Sequence, residues 1–431
     1  MNQKKLLAAC AIGNIIEWYE FMIFGYFAAI IGTLFFPSSS SLGSLFKAFG
    51  VFAIGVLVRP LGGILFGHIG DRFGRKTALL VSIYLMSVPT VAIGLLPSYE
   101  SIGIFAPIAL LCIRVLQGLS MGGEYAGTIV YLVENTKTSK KGLYGSLAAF
   151  SLVLGMAAGS LVFAVFHALL TKQQLLDWGW RIPFLLSIVG LAWGLYLRVK
   201  LEDSGVFTEL KEAGNLARIP IKEAFSESSK PLFQTVLIQC LLGVGMYTMT
   251  IFYANYAREH FASLSSVSPI LLNTPGVIAI GLAAIVAGKF SDIFGRKNVL
   301  LYSAICSFFV SYLTIPLITH GSVESFFMAH IMLSTLTGCF LGSIPSFLAE
   351  SFPTKTRYTC VALSNNLSMG IFGGTAPMVI TYLIDKFHDP VIPNYYLMVS
   401  ALITVLSIYF SKDKRLSPDK ELSYAREFKH N

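Results

Sequence analysis

Charge is scarce in this sequence. Asp, Glu, Lys and Arg make up 13% of its 431 residues, whereas a soluble domain carries roughly 25%, so an ordinary soluble fold is excluded. Paired cysteines are also missing. The six present (Cys10, Cys112, Cys240, Cys306, Cys339, Cys360) stand singly with no C-x-x-C spacing, which argues against a disulfide framework or a zinc ribbon and leaves them as apolar packing residues. No Ser/His/Asp grouping, metal-ligand spacing or phosphate loop of the form G-x-x-x-x-G-K-[ST] occurs. The chain therefore reads as a non-enzyme with no cofactor and no metal.

Apolar sequence is abundant: 55% of residues are hydrophobic and 33 are Phe, with a mean hydropathy of +0.69. A bilayer core takes about 20 predominantly apolar residues per spanning helix. Twelve such stretches follow one another, at about 6–34, 44–66, 77–97, 101–133, 142–170, 181–199, 231–257, 266–288, 298–319, 324–349, 358–384 and 393–411. The expected fold is an all-α, multi-pass membrane protein. The first stretch, preceded by Lys4 and Lys5, outruns a signal-peptide core of about 7 to 15 residues and has no small-residue cleavage site, so it reads as a retained helix.

A net charge of +9 is met in nucleic-acid binders, but here the basic residues are sorted by loop. With the N-terminus inside, 25 of the 32 Lys and Arg fall in cytoplasmic loops and tails, five lie outside (Lys47, Lys172, Arg181, Arg258, Lys386), and Arg59 and Arg114 lie within helices. This asymmetry orients a membrane protein with both termini cytoplasmic and removes the need for a nucleic-acid partner.

The most polar interior stretch, 198–230, holds six basic and six acidic residues and divides the chain into similar halves. Each half carries the same punctuation after its second apolar stretch, GHIGDRFGRK at 67–76 and GKFSDIFGRK at 288–297, identical at six of ten positions. Such duplication marks a parallel repeat of a secondary transporter. The expected division is a bundle over 1–199, a linker over 200–230, a second bundle over 231–411 and a cytoplasmic tail over 412–431 with no coiled-coil heptads. In the first loop, Gly67 and Gly74 permit a tight turn and close helix approach. Asp71 can meet a helix N-terminus or an arginine, and Arg72, Arg75 and Lys76 can meet headgroups or carboxylates. Asp292, Gly295, Arg296 and Lys297 repeat the set.

Charges at membrane depth are costly unless paired or facing a cavity. In RVLQGLSMGGEYAG (114–127), Arg114 and Tyr125 fall within about 40° of one helix face, with Gln117 and Glu124 on its edge. The glycines of this run equally suit close helix packing. Arg59 reads as a structural charge near the cytoplasmic half, and His330 as a packed intramembrane histidine. Trp178, Trp180 and Arg181 of DWGWRIPF read as an interfacial belt and end anchor. From the second half, Tyr247, Tyr253, Asn255 and Tyr256 and then Asn365 and Asn366 can reach a site between the halves, or serve as interhelical hydrogen-bonding groups.

The duplicated loop and twelve-span layout resemble the major facilitator superfamily, where this loop latches the cytoplasmic side. GNIIEWYEF (13–21), VRPLGGILFGHIGDRFGRK (58–76), RVLQGLSMGGEYAG and DWGWRIPF together resemble its metabolite:proton symporters, and LPSYESIGIFAPI (96–108) and PNYYLMV (393–399) resemble the proline/betaine branch. The resemblance implies proton-coupled uptake of a small metabolite across the inner membrane. Two features depart from it: Glu20 stands where that family usually has Asp, and the long coiled-coil tail of its osmosensing members is absent.

Counting from Lys5 at about 1.5 Å per residue, Glu17 lies roughly 18 Å and Glu20 roughly 22 Å deep, near the middle of a core about 30 Å thick. Coupling requires a group whose protonation changes through the cycle; burial favours a neutral carboxyl and a nearby arginine a charged one. Glu20 first and Glu17 second are the expected proton-linked groups, with Arg114 as partner or carboxylate anchor and Glu124 as a further member. Arg114, Gln117, Tyr19, Tyr26, Tyr125, Tyr247, Asn255 and Asn365 are the candidate substrate contacts. Aromatic faces beside a guanidinium suit a zwitterion such as proline or betaine. A carrier of organic acids or polycarboxylates, an uncoupled facilitator or exporter, and a transporter-like sensor are the alternatives. The expected partners are substrate, protons and lipid, around a monomer.

Overall fold

The computed structural model describes residues 3–37, 41–136, 138–253, 256–257, 261–264, 269–319 and 322–411. Asn255, Arg258 and the tail 412–431, for which expectations were stated, lie outside the described residues. The described residues form helices joined by short turns, with no strand among them. The twelve spans are α1 (Gln3–Tyr26, continued by Ala28–Phe35), α2 (Ser41–Leu57 and Arg59–Arg72), α3 (Arg75–Leu95), α4 (Phe105–Glu134), α5 (Lys141–Leu169) and α6 (Arg181–Leu185 and Ser187–Arg198). They continue with α7 (Pro220–Ile238, Cys240–Tyr247 and a π-turn at Thr248–Phe252), α8 (Pro269–Phe294), α9 (Arg296–Leu313 and Ile315–Thr319), α10 (Val323–Ser351), α11 (Arg357–Ser368, a π-turn at Met369–Gly373, and Ala376–Phe387) and α12 (Ile392–Tyr409).

Eleven of these stretches are individually long and apolar enough to cross a bilayer among the described residues. The expected span over 298–319 is the twelfth. Its helix is interrupted at Thr314, two residues before Pro316, whose ring and missing N–H disturb the preceding turn. Its first turn is the polar Arg296-Lys297-Asn298, which lowers its mean hydropathy. Proline also accounts for the break in α2, where Pro60 occupies the first turn after Val58.

The two halves pack alike. In the first, α1 packs on α5, α2 and α3 on α4, and α3 on α6; in the second, α7 packs on α11, α8 and α9 on α10, and α9 on α12. Glycine makes the closest of these contacts possible. An added Cβ at Gly118 would lie 2.2 Å from the Gly55 carbonyl oxygen, and one at Gly122 2.2 Å from that of Arg59, so α2 and α4 touch backbone to backbone. Gly338 and Gly342 repeat this between α10 and α8. The halves meet through α5 against α8 and α10, and α11 against α2 and α4.

One interfacial expectation is corrected. Trp178 is exposed, but Trp180 is only 1% accessible, because its ring is held edge-on by Phe35 at 5.7 Å and covered by the Arg181 guanidinium at 4.6 Å. Arg181 caps the end of α3, donating to the Gly94 and Leu96 carbonyls at 2.9 and 2.8 Å. All six cysteines are free thiols, and Cys10, Cys240 and Cys360 are buried.

Candidate functional site

The two copies of the repeated loop clasp each other's half. Between α2 and α3 the chain turns at Phe73 and Gly74, and Gly74 has φ +117°, a conformation that an L side chain rarely adopts. Asp71, at the end of α2, accepts hydrogen bonds from the Tyr358 and Thr359 amides at 3.1 and 2.9 Å and from the Thr359 hydroxyl at 2.7 Å. It therefore caps the N-terminus of α11, where an anion meets both unpaired N–H groups and the positive end of the helix dipole. Gly67 lets α2 approach Thr359. Arg75 pairs with Asp71 at 2.7 Å and Glu134 at 3.3 Å and donates to the Thr354 carbonyl at 2.8 Å. Arg357 of the other half reaches the same Glu134 at 2.9 Å.

The second copy does the converse. Asp292 accepts from the Gly142 and Leu143 amides at 2.8 and 2.9 Å, capping α5, and Arg296 holds it at 2.8 Å. Gly295 has φ +91°. Arg72 donates to the Arg218 carbonyl of the linker, the Lys76 amide to Asp203 at 2.9 Å, and Lys297 to the Ser411 carbonyl at 2.8 Å. On the side assigned to the cytoplasm, the two aspartate caps, Arg75 and the Arg357–Glu134 pair close the gap between the halves.

Deeper in the first half, the Arg114 guanidinium is fully buried. It lies over the rings of Phe24 at 4.4 Å, Phe52 at 5.0 Å and Phe21 at 5.3 Å, an arrangement stabilised by the ring quadrupoles. It donates to Gln117 Oε1 at 2.8 Å and forms no ion pair among the described residues. Its Nε has no acceptor, so much of a five-donor fork is uncommitted. Gln117 Nε2 donates to Thr90 Oγ1 at 2.6 Å, and Thr90 Oγ1 lies 3.1 Å from Glu20 Oε2. Glu20 and Arg114 thus belong to one chain of hydrogen bonds without touching.

Glu124 lies elsewhere. Arg198 grips it with both terminal nitrogens, Nη1 at 2.8 Å from Oε2, and the Ser82 hydroxyl donates to the same carboxylate. Arg198 also donates to the Ala9 and Leu79 carbonyls at 3.2 and 2.5 Å, joining α6 to α1, α3 and α4. By sequence Arg198 counts among the charges of the cytoplasmic loops, whereas its side chain is entirely buried. Glu17 is buried and forms no ion pair among the described residues; Glu124, Arg59 and Arg198 are the charges acting on it besides Glu20.

The aromatic candidates separate. The Tyr19 hydroxyl donates to the Pro183 carbonyl at 2.6 Å and so ties α1 to α6, and Tyr26 packs on Phe163 at 5.7 Å. Tyr125 is buried with no hydroxyl partner among the described residues. In the second half, a Cβ at Gly373 would come within 2.7 Å of the Tyr247 ring, so the π-turn of α11 sits against α7. Asn365 is buried. Asn366 accepts from Arg59 Nε at 3.2 Å and donates to the Gly122 carbonyl at 2.7 Å, making it and Arg59 a cross-half bridge. His330 Nε2 lies 3.1 Å from the Met249 carbonyl, its ring stacked on Tyr253 at 5.7 Å, and Tyr253 donates to Asn394 at 3.2 Å.

Thr90 and Arg198 are the residues that sequence reasoning passed over. A lone threonine in an apolar helix carries no signal, and an arginine at the end of a span reads by default as reaching for water. Only the positions of Glu20 and Glu124 mark them.

Two like bundles, cross-capped at one face and with buried charges between their helices, have the architecture of a membrane transporter. Residues 6–224 match the family model for sugar (and other) transporters, and 235–427 the model for the major facilitator superfamily. The chain belongs to the major facilitator superfamily. It is 33% identical over 427 residues to the glycine betaine/proline/ectoine/pipecolic acid transporter OusA of Dickeya dadantii, covering 97% of this chain and 85% of that one. It is 31% identical to the proline/betaine transporter of Escherichia coli K12, with the same coverages. Among solved structures, it resembles the proton:xylose symporter XylE with TM-score 0.73 at 16% identity, over 95% of this chain and 94% of that one. It also resembles FucP with TM-score 0.70 at 12% identity, over 94% and 98%. The protein is a multi-pass transporter of the inner membrane.

Proposed function

We propose that this transporter is a proton-coupled symporter that moves a small carboxylate-bearing zwitterion, proline or betaine in type, by alternating access. The carrying observation is Arg114: a buried guanidinium with unused donors, aromatic faces around it and, among the described residues, no carboxylate in contact. A ligand carboxylate supplies the missing bidentate acceptor, and the surrounding rings suit an ammonium group. The names of the OusA and E. coli relatives support the same ligand class. In this reading Gln117 orients Arg114, and Tyr125, Tyr247 and Asn365 complete the site.

Glu20 is the proton-carrying group, with Glu17 as a second. Glu124, held by Arg198, belongs to the support of α4 and α6 rather than to the proton path. Alternating access breaks the contacts of Asp71, Arg75, Asp292 and Arg296 as the bundles over 1–199 and 231–411 rock about the linker over 200–230. The chain works as a monomer in its lipid.

The test is uptake of radiolabelled L-proline and glycine betaine into liposomes under an imposed proton gradient. Accumulation that a protonophore abolishes is expected. R114K, which removes the bidentate fork and keeps the charge, is expected to raise KM for either ligand by at least about tenfold. Accumulation of neither ligand, with competition by a polycarboxylate, would point to an organic-acid carrier; equilibration without accumulation would point to a facilitator.

A further inference from the structure

Proton and substrate act on different side chains in this reading, and what links them is a single hydroxyl. Gln117 has one possible amide orientation, because Arg114 offers only donors: Oε1 must face the guanidinium, and Nε2 must then donate to Thr90 Oγ1. That hydroxyl has two lone pairs and one proton of its own. Two acceptors compete for the proton, Glu20 Oε2 at 3.1 Å and the Met86 carbonyl, one turn back on α3, at 2.8 Å. It can serve one at a time.

We infer that Thr90 is a positioning residue whose hydroxyl switches between Glu20 and the Met86 carbonyl, and so reports the protonation state of Glu20 to Arg114 through Gln117. The inference rests on the assignment of Glu20 as the proton-carrying group. With Glu20 ionised, the charged oxygen takes the Thr90 proton. Oγ1 then donates to a carboxylate and accepts from Gln117, and donation and acceptance on one hydroxyl reinforce each other. Gln117 is held firmly, and its Oε1 keeps Arg114 turned inward. When Glu20 takes a proton on Oε2 from the outer aqueous side, its O–H needs an acceptor and finds Oγ1. Thr90 turns its own proton to the Met86 carbonyl, and Gln117 now shares Oγ1 with a second donor. The hold on Arg114 loosens, and the guanidinium is free to turn to an incoming carboxylate. Protonation thus precedes and promotes substrate binding, the order a symporter needs to avoid carrying protons and substrate separately.

The surroundings leave this path clear. Glu20 is faced by Glu17 and Tyr19 of its own helix, by the Ser87 and Thr90 hydroxyls of α3 and by the Ser187 hydroxyl of α6. Among the described residues, Arg114 of α4 is reached through Gln117. No ionisable side chain of α3, α5 or α6 is among the groups acting on Glu20 in the described residues.

The test measures KM for L-proline as a function of external pH in proteoliposomes of the full chain, for the native protein, T90V, T90S and E20Q. The native KM is expected to fall as external pH falls. T90V, the near-isosteric variant without the hydroxyl, is expected to flatten that dependence by about fivefold, the effect of one net hydrogen bond, and T90S to restore it. E20Q is expected to be flat. T90A replaces T90V if the valine variant does not elute as a single species. A flat E20Q with a native-like T90V overturns the switch and leaves the Glu20 assignment standing. A native-like E20Q overturns both. If T90V lowers Vmax with an unchanged pH profile, or T90S fails to restore the profile, Thr90 is a packing residue and the switch is wrong.

Discussion

Replacing Asp71 by Asn tests the cytoplasmic latch at its most connected point. The carboxylate makes four bonds, three of them to the other half of the molecule. Asparagine keeps one acceptor oxygen and turns an NH2 group toward donors. One backbone N–H at the start of α11 is left without an acceptor in a buried site, at about 1 to 3 kcal/mol. Loss of the anion from the helix N-terminus adds about 0.3 to 1 kcal/mol. Arg75 keeps Glu134 and the Thr354 carbonyl, so its own charge is not orphaned. These bonds exist only while the halves are joined on this side, so the total, about 3 kcal/mol, shifts the closed-to-open ratio by roughly a hundredfold.

Asp292 provides the internal control. It makes two backbone bonds across the halves instead of three bonds, and its pair with Arg296 is 9% and 14% exposed where Asp71 and Arg75 are fully buried. Water compensates part of its loss, so D292N shifts the ratio less. The assay is the distribution of distances between spin labels at Ser139 and Lys289, exposed positions on opposite halves, in a cysteine-free background. D71N is expected to populate a longer-distance state far more than D292N. Equal distributions in D71N and native protein, or greater opening in D292N, would refute the assignment of the Asp71 cap as the dominant closing contact.

Two further substitutions probe the frame. E124Q strands Arg198 without its anion in a dry interior, at about 3 to 5 kcal/mol, and lowers the thermal midpoint of detergent-purified protein; the paired E124L/R198L, which removes both charges, is expected to lower it less. G122A places a Cβ 2.2 Å from the Arg59 carbonyl oxygen and pushes α2 from α4 at about 1 to 3 kcal/mol, whereas G205A, with nothing within 4 Å of the new carbon, leaves the midpoint within a degree or two.

The spans and the repeat were legible because each is carried by composition along one stretch of chain. Twenty apolar residues need no partner to announce a membrane helix, and the one span that escapes that criterion, α9, does so through local features also written in the sequence, Pro316 and a polar first turn. The cap on α11 was half legible. Asp71 beside a glycine turn promises a helix N-terminus, but which one depends on Tyr358, 287 residues away, and no local pattern carries that pairing. Trp180 shows the same limit: its sequence neighbours suggest an interface, and Phe35, from the far end of α1, puts it in the core.

The two carboxylates of α1, Glu17 and Glu20, show why the site was least legible. Three residues apart on one helix, Glu17 and Glu20 are about 60° apart around its axis, close enough that periodicity assigns them to one cavity. The packing of α3, α4 and α6 divides them. Glu20 takes a hydrogen bond from the Thr90 hydroxyl and joins Arg114 through it and Gln117, whereas Glu17 sits in the field of the Glu124–Arg198 pair and Arg59. A proton on Glu20 therefore alters a hydrogen-bond chain that ends at the candidate substrate anchor. A proton on Glu17 alters the balance of charge around the joint of α1, α4 and α6, near Arg59 and its bridge to the second half. The prediction that separates the two acids, ligand capture against the fit between halves, is that E20Q abolishes the pH dependence of KM while E17Q changes the closed-to-open ratio.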